Sequence, residues 1–326
     1  MKLHENPELF SDAIQAASEL KGIREVYIEK DYWVTLALHA IFHSEYKDVA
    51  VFKGGTALSK CHGLIKRFSE DVDIVVIQEE GESGNKLSNK IRAISKYVAD
   101  ILPEKNVEGI TSKHGNFRKT AHEFDKAFGD EYGQVRQDII LEISSLGNYE
   151  PHTDETVSSY IAEMMLDQGQ DKVINEYDLA PFRVQVLSKS RTLCEKIMSL
   201  VRFSRSENPY EDLANKIRHI YDIHALINDP DTKAFFESDE FDTMINIVGQ
   251  DDVMSYRSGT DWLKHHPQTA LIYSEPEKTW EQLRSTYNST FKDLVIGDPP
   301  DEALLIDALK AVSQRLSTVG WDLADE

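Results

Sequence analysis

Cysteine is nearly missing from this chain: Cys61 and Cys194 are the only two in 326 residues. Two distant thiols give no disulfide framework, so a reducing cytoplasm is the expected compartment. No apolar run approaches the ~20 residues needed to cross a bilayer. The opening Met1-Lys2-Leu3-His4-Glu5-Asn6-Pro7 also lacks the apolar core of a signal peptide, so no membrane association is expected. Positive charge is short as well. Lysine and arginine number 36 against 57 acidic residues, a net charge of −21. That balance argues against a broad nucleic-acid-binding face, because phosphate backbones are gripped by positive charge. Internal repeats, heptads and low-complexity tails are absent too. What remains is a globular composition, 40% hydrophobic, long enough for one large domain or two ordinary ones, with two preferred.

The chemistry-bearing stretch begins at Lys53-Gly54-Gly55-Thr56-Ala57-Leu58-Ser59-Lys60, entered from the apolar run Val49-Ala50-Val51-Phe52. Paired glycines between a strand and a helix let backbone amides approach a polyanion, where the helix N-terminus also favours phosphate. Arg67-Phe68-Ser69-Glu70-Asp71-Val72-Asp73-Ile74-Val75-Val76 follows. In a strand, Asp71 and Asp73 share one face and Val72, Ile74 and Val76 the other. Two carboxylates on one face suit Mg²⁺, a hard cation that completes its shell with substrate phosphates. The plainer alternative is an ordinary turn and an edge strand whose acids face water.

Apolar spacing predicts helices over Pro7 to Leu20 and Glu29 to Phe42, the second with Glu29, Lys30 and Asp31 in its first turn, as dipole-compensating charges or otherwise. Leu87, Ile91, Ile94, Val98 and Ile101 mark another helix; residues 106–128 read as a loop or bent hairpin. Val135 to Leu146 alternates as a strand. Glu142 sits in its middle, flanked by Leu141 and Ile143. It is either a third metal carboxylate beside Asp71 and Asp73 or, with Asp138, part of a solvent face. The same openness holds for Lys113, Arg118, Lys119 and Lys126, either a basic cluster near the site or scattered surface charge. A helix is expected around Val157 to Leu166, and further helices at Arg191 to Phe203, Asp212 to Ile227, Lys278 to Leu294 and Asp301 to Leu316. Lys196, on the helix with Lys189 and Arg191, would hold a triphosphate as a point charge or merely snorkel. His219, Asp222 and His224 cannot all converge on one metal from a single helix, which argues against a transition-metal site there and leaves the roles of His219 and His224 open.

The glycine pair followed by Asp-x-Asp resembles the signature of the nucleotidyltransferase superfamily. Glu29-Lys30-Asp31-Tyr32-Trp33-Val34, Lys53-Gly54-Gly55-Thr56-Ala57-Leu58, Arg67-Phe68-Ser69-Glu70-Asp71-Val72-Asp73, Glu195-Lys196 and Tyr221-Asp222-Ile223, in this order, narrow the resemblance to the AbiEii/AbiGii toxin family. It implies an α+β fold: a mixed sheet flanked by helices in a nucleotidyltransferase domain over 1–160, then a mainly helical domain over 161–326 that completes the active site. It also implies roles. Asp71 and Asp73 match the metal pair, joined by Glu142 from the strand reading; Lys196 and Asp222 complete the catalytic set. Gly54, Gly55, Thr56, Ser69, Lys189 and Lys196 form the nucleotide-binding set. Where some members carry an aspartate, this chain has His219.

The expected activity is Mg²⁺-dependent transfer of NMP from an NTP to an RNA acceptor, a tRNA 3′ end among them, by the toxin of a toxin–antitoxin or abortive-infection system. Two Mg²⁺ ions and an antitoxin partner belong to that expectation, which rests on resemblance. Two alternatives stand beside it: a small-molecule nucleotidyltransferase of the antibiotic-modifying type, which the acidic charge favours, and a non-catalytic nucleotide-binding module.

Overall fold

Helix α1 (Pro7–Lys21) starts where Pro7 supplies the fixed φ of a first helical position and the Asn6 side chain accepts a hydrogen bond from the Leu9 amide. It ends at Gly22, which takes a φ of 64°. Helix α2 (Glu25–Phe42) starts earlier than its apolar spacing suggests and is buried continuously from Val26 to Leu38. This is a correction to the sequence reading: Glu29, Lys30 and Asp31 lie in its second turn and inside the protein, not at an exposed start.

The computed structural model describes residues 1–128, 135–256, 259–321 and 323. It is an α+β chain of two compact units, Met1–Gly63 with Arg67–Leu187, and Leu64–Lys66 with Ser188–Glu326. The first unit continues with β1 (Ala50–Lys53), α3 (Gly54–Lys60), β2 (Asp71–Val76), α4 (Gly84–Ala99), β3 (Glu104–Lys105), β4 (Ser112–His114), β5 (Phe117–His122), β6 (Ile139–Ser144), β7 (His152–Val157), α5 (Tyr160–Asp167), α6 (Asp171–Glu176) and β8 (Phe182–Leu187). The strands form one mixed sheet in the order β3-β5-β6-β2-β1-β8-β7, with β4 paired to β5. β1 runs antiparallel to β2 and parallel to β8, and β2 runs parallel to β6. Residues 161–187 therefore group with the sheet, because β8 is one of its strands. Val51, Val75 and Leu187 pack together in the core on neighbouring strands.

Segment 106–128 contains a hairpin, β4 turning into β5 through Gly115. Val157 closes a strand; the helix expected there begins at Tyr160, capped by the Ser159 hydroxyl, which accepts from the Ala162 amide.

The second unit is helical: α7 (Lys189–Ser204), α8 (Pro209–Ala214), α9 (Ile217–Asn228), α10 (Pro230–Phe236), α11 (Asp239–Tyr256), α12 (Leu271–Ser274), α13 (Pro276–Thr286) and α14 (Glu302–Leu316). The single helix expected over Asp212 to Ile227 is broken into α8 and α9 at Asn215 and Lys216. Likewise α13 ends at Thr286 and gives way to a π turn over Tyr287–Phe291. Hydrophobic spacing persists through both breaks, which is why periodicity alone joins the pieces. Among the described residues no helix is long and apolar enough to cross a membrane.

Candidate active site

Strand register places a row of four charges across the sheet. Lys53 of β1 pairs with Asp73 of β2, Asp73 with Glu142 of β6, and Glu142 with Lys119 of β5. Residues paired in register project to the same face, so the row reads plus, minus, minus, plus. Asp71, two residues before Asp73, shares that face. Glu142 thus belongs with the two aspartates, partly buried in a strand that is otherwise apolar up to Ser144 at its end. Asp138 lies before the strand and pairs with Lys105 at 2.7 Å.

Proximity of like charges shows in Asp73. Burial first, then the carboxylates of Glu142 and Asp71, push its carboxyl up to about 7, against the opposing pull of Lys53 and Lys119. Glu142 is also drawn to Lys119, with Nζ 3.2 Å from Oε2, and Asp71 to Arg136, with Nη1 3.1 Å from Oδ1. Of the basic residues suspected of gathering near the site, Lys119 is there. Lys113 and Arg118 turn to Glu104, and Lys126 to Gln137.

The glycine pair has a local reason. Gly54 holds a φ of 82°, and a Cβ there would run into the Asp73 carboxylate. A Cβ on Gly55 would lie 2.5 Å from Nη2 of Arg67 and 3.1 Å from the Ser69 hydroxyl. The turn thus lets Asp73, Arg67 and Ser69 close against the start of α3. Thr56 is buried; its hydroxyl donates to the Asp71 carbonyl at 2.6 Å and lies 2.9 Å from the Ser69 oxygen. These contacts fasten α3 to the first residue of β2, so Thr56 and Ser69 shape the turn.

Three successive charges in α2 brace the same region. Glu29 accepts from the amides of Ala127 at 2.6 Å and Phe128 at 3.1 Å. Lys30 forms a 2.5 Å ion pair with Glu70 and donates to the Arg136 carbonyl. Asp31 pairs with Lys60 at the end of α3 and accepts from the Tyr160 amide at 2.8 Å, at the N-terminus of α5. Ionised groups this buried need partners. Sequence reasoning named Lys30, Lys60 and Glu70 within motifs but not these pairings, and missed Arg136; the available signal was a charged triplet inside an apolar helix.

In the second unit Lys196 and Asp222 meet. Nζ lies 2.7 Å from Oδ2, with Asp222 fully buried and Lys196 nearly so. Lys196 is therefore no snorkelling surface residue. Lys189 bridges Asp229 at 2.6 Å and Asp231 at 3.3 Å, and both contacts hold its ammonium above the usual lysine range against the opposing effect of burial. Buried Arg191 spans Glu195 and Asp251.

Among the described residues no three His, Cys, Asp or Glu side chains are gathered closely enough to make a finished metal cage. The residues nonetheless fit a divalent cation: hard oxygen donors share one face, and Asp73 is held back from ionising by burial and then by its acidic neighbours, whose repulsion a dication relieves.

The sequence model of the family described as nucleotidyl transferase AbiEii toxin, type IV toxin–antitoxin system, matches residues 36–315. The chain belongs to this family. Its glycine turn, paired aspartates, Lys196 and Asp222 all fall inside that span. No curated protein matches significantly. Among solved structures the AbiEii chain is similar to one from H. pylori described as a nucleotidyltransferase, at 14% identity and a TM-score of 0.47, covering 93% of this chain and 98% of that one. It is also similar to JHP933 from Helicobacter pylori, at 15% identity and a TM-score of 0.43, with 93% and 95% covered. MenT4, a nucleotidyltransferase toxin from Mycobacterium tuberculosis, gives 15% identity and a TM-score of 0.40, with 92% and 97% covered. Likeness at this level carries no residue-by-residue correspondence.

Proposed function

We propose that this AbiEii-family chain transfers a nucleoside monophosphate from an NTP to an RNA acceptor, tRNA 3′ ends included, in a Mg²⁺-dependent reaction opposed in the cell by an antitoxin. The observation that supports it most is the convergence of Asp71, Asp73 and Glu142 on one face of the sheet, with the Gly54–Gly55 turn closed against Asp73. Bound Mg²⁺, as one ion or two, supplies Lewis-acid charge to the α-phosphate and to the departing pyrophosphate. Asp71, Asp73 and Glu142 would hold it. Glu142 would complete that set or take the acceptor hydroxyl proton. The Gly54–Gly55 turn admits the phosphates, with Thr56 and Ser69 fixing its shape. In the second unit Lys196 serves as the phosphate-contacting cation and Asp222 orients it, with Lys189 retained in the nucleotide-binding set.

A net charge of −21 supports a second reading, transfer to a cationic small molecule. One experiment separates the two. The protein and its Asp73→Ala variant are incubated with Mg²⁺ and each α-labelled NTP, with total RNA or an aminoglycoside as acceptor. Label entering an RNA band only with Asp73 intact supports the proposal; label on the aminoglycoside alone supports the alternative; no NTP consumption overturns both.

A further inference from the structure

Arg136 is held in a way that separates its backbone from its side chain. Its amide donates to both carboxylate oxygens of Glu70, at 3.2 and 3.1 Å, and its carbonyl accepts from Lys30. Glu70 and Lys30 are themselves a buried pair, their side chains 2% and 0% exposed. The Arg136 side chain, by contrast, is 46% exposed, and its guanidinium reaches Asp71 through one nitrogen. A guanidinium carries five N–H donors in a planar fork that matches phosphate oxygens.

We propose that Arg136 is a placeholder cation for the carboxylate face: it neutralises Asp71 while no divalent cation is bound, and turns to the nucleotide's phosphates when a cation takes Asp71. The inference deepens the proposed reaction and rests on that reading of Asp71. Exposure decides between this role and a purely structural one. The tie that fixes this point of the chain is made by the Arg136 backbone, so the side chain is not needed for it. An ion pair with partners 46% and 30% exposed is also of the weakly bound kind, which a dication displaces readily. Arg67 makes the contrast: it is 2% exposed and packed under Gly55, where it cannot exchange partners without opening the turn.

The test uses metal-free full-length protein and three variants, Arg136→Gln, Arg136→Lys and Asp71→Asn. Mn²⁺ binding is measured by calorimetry, and binding of a fluorescent NTP by anisotropy with Ca²⁺ replacing Mg²⁺ to suppress turnover. Circular dichroism checks that each variant folds. The expected result for Arg136→Gln is Mn²⁺ affinity raised roughly fivefold, from loss of a competing surface pair, together with nucleotide affinity lowered about tenfold, from loss of a charged phosphate contact. Arg136→Lys keeps the charge without the fork and should restore Mn²⁺ affinity to the parent value while leaving nucleotide binding weak. Unchanged or weakened Mn²⁺ binding in Arg136→Gln overturns the placeholder role. Asp71→Asn separates the two levels. If it leaves Mn²⁺ binding intact, the carboxylate reading of Asp71 fails and the placeholder role with it. If it weakens Mn²⁺ binding while Arg136→Gln changes nothing, only the inference about Arg136 fails.

Discussion

Lys30 and Glu70 form a buried ion pair, Nζ to Oε2 at 2.5 Å, and Glu70 immediately precedes Asp71 on the chain. Helix α2 therefore grips the root of the strand that carries the paired aspartates. Burial pulls the Lys30 ammonium below its usual range while Glu70 pulls it back up. Removing one partner of such a pair strands the other charge in the interior. Lys30→Met should therefore cost about 3–5 kcal/mol, read as a lower denaturant midpoint in urea. Adding Glu70→Leu to that variant should recover part of the loss. Full recovery is not expected, since Glu70 also accepts from the Arg136 amide.

Two glycines at positive φ make a matched test of the turn. Gly54 has a φ of 82° and Gly63 one of 58°, but a Cβ at Gly63 meets nothing within 4 Å, whereas one at Gly54 meets Asp73. Alanine at either site should cost about 1–2 kcal/mol for the left-handed backbone. Only Gly54→Ala must also displace Asp73, so it alone should abolish nucleotide transfer. Equal activity in the two variants, each shown folded by circular dichroism, would remove the close approach of Gly54 and Asp73 from the mechanism.

The first half of this arrangement was legible because strand chemistry is local. Asp71 and Asp73 are two residues apart, and alternation places them on one face; the same alternation singled out Glu142. Pairing Glu142 with Asp73 needed the sheet order, which periodicity does not contain. The buried work of Glu29, Lys30 and Asp31 stayed hidden for another reason. Each meets a partner distant in sequence, such as Glu70 or Tyr160, and a charge near a helix start looks the same whether it faces water or a buried partner. The break between α8 and α9 was concealed because Leu213, Ile217 and Ile220 keep a helical rhythm across it.

Asp73 should make the metal-free protein pH-sensitive. Its carboxyl is raised from the usual 3.8 to about 7 in the folded chain. Between those values the native state binds more protons than the unfolded state, so stability should fall as pH rises from about 4 towards 7. Asp73→Asn should flatten that part of the profile. Saturating Mg²⁺, which binds the ionised form, should stabilise the protein more at pH 8 than at pH 5. Thermal melts of both proteins across this range, with EDTA or Mg²⁺, read the effect directly. A slope unchanged by Asp73→Asn would mean that other groups carry it.

Lys196 and Asp222 call for a more careful reading of any inactive variant. With Asp222 fully buried and Nζ of Lys196 2.7 Å away, alanine at either position takes the ion-pair partner from a charge inside the helical unit, at a cost of about 3–5 kcal/mol. Each single variant should therefore melt early as well as lose activity, and inactivity alone would not distinguish phosphate binding from structural collapse. A double-mutant cycle does. Lys196→Met with Asp222→Leu replaces both charges with apolar bulk and should regain much of the stability lost in either single change, giving a coupling energy above 1 kcal/mol. If Lys196 contacts phosphate, the stability-recovered double variant stays inactive and binds NTP weakly. If its task is only to neutralise Asp222, the double variant recovers activity along with its fold.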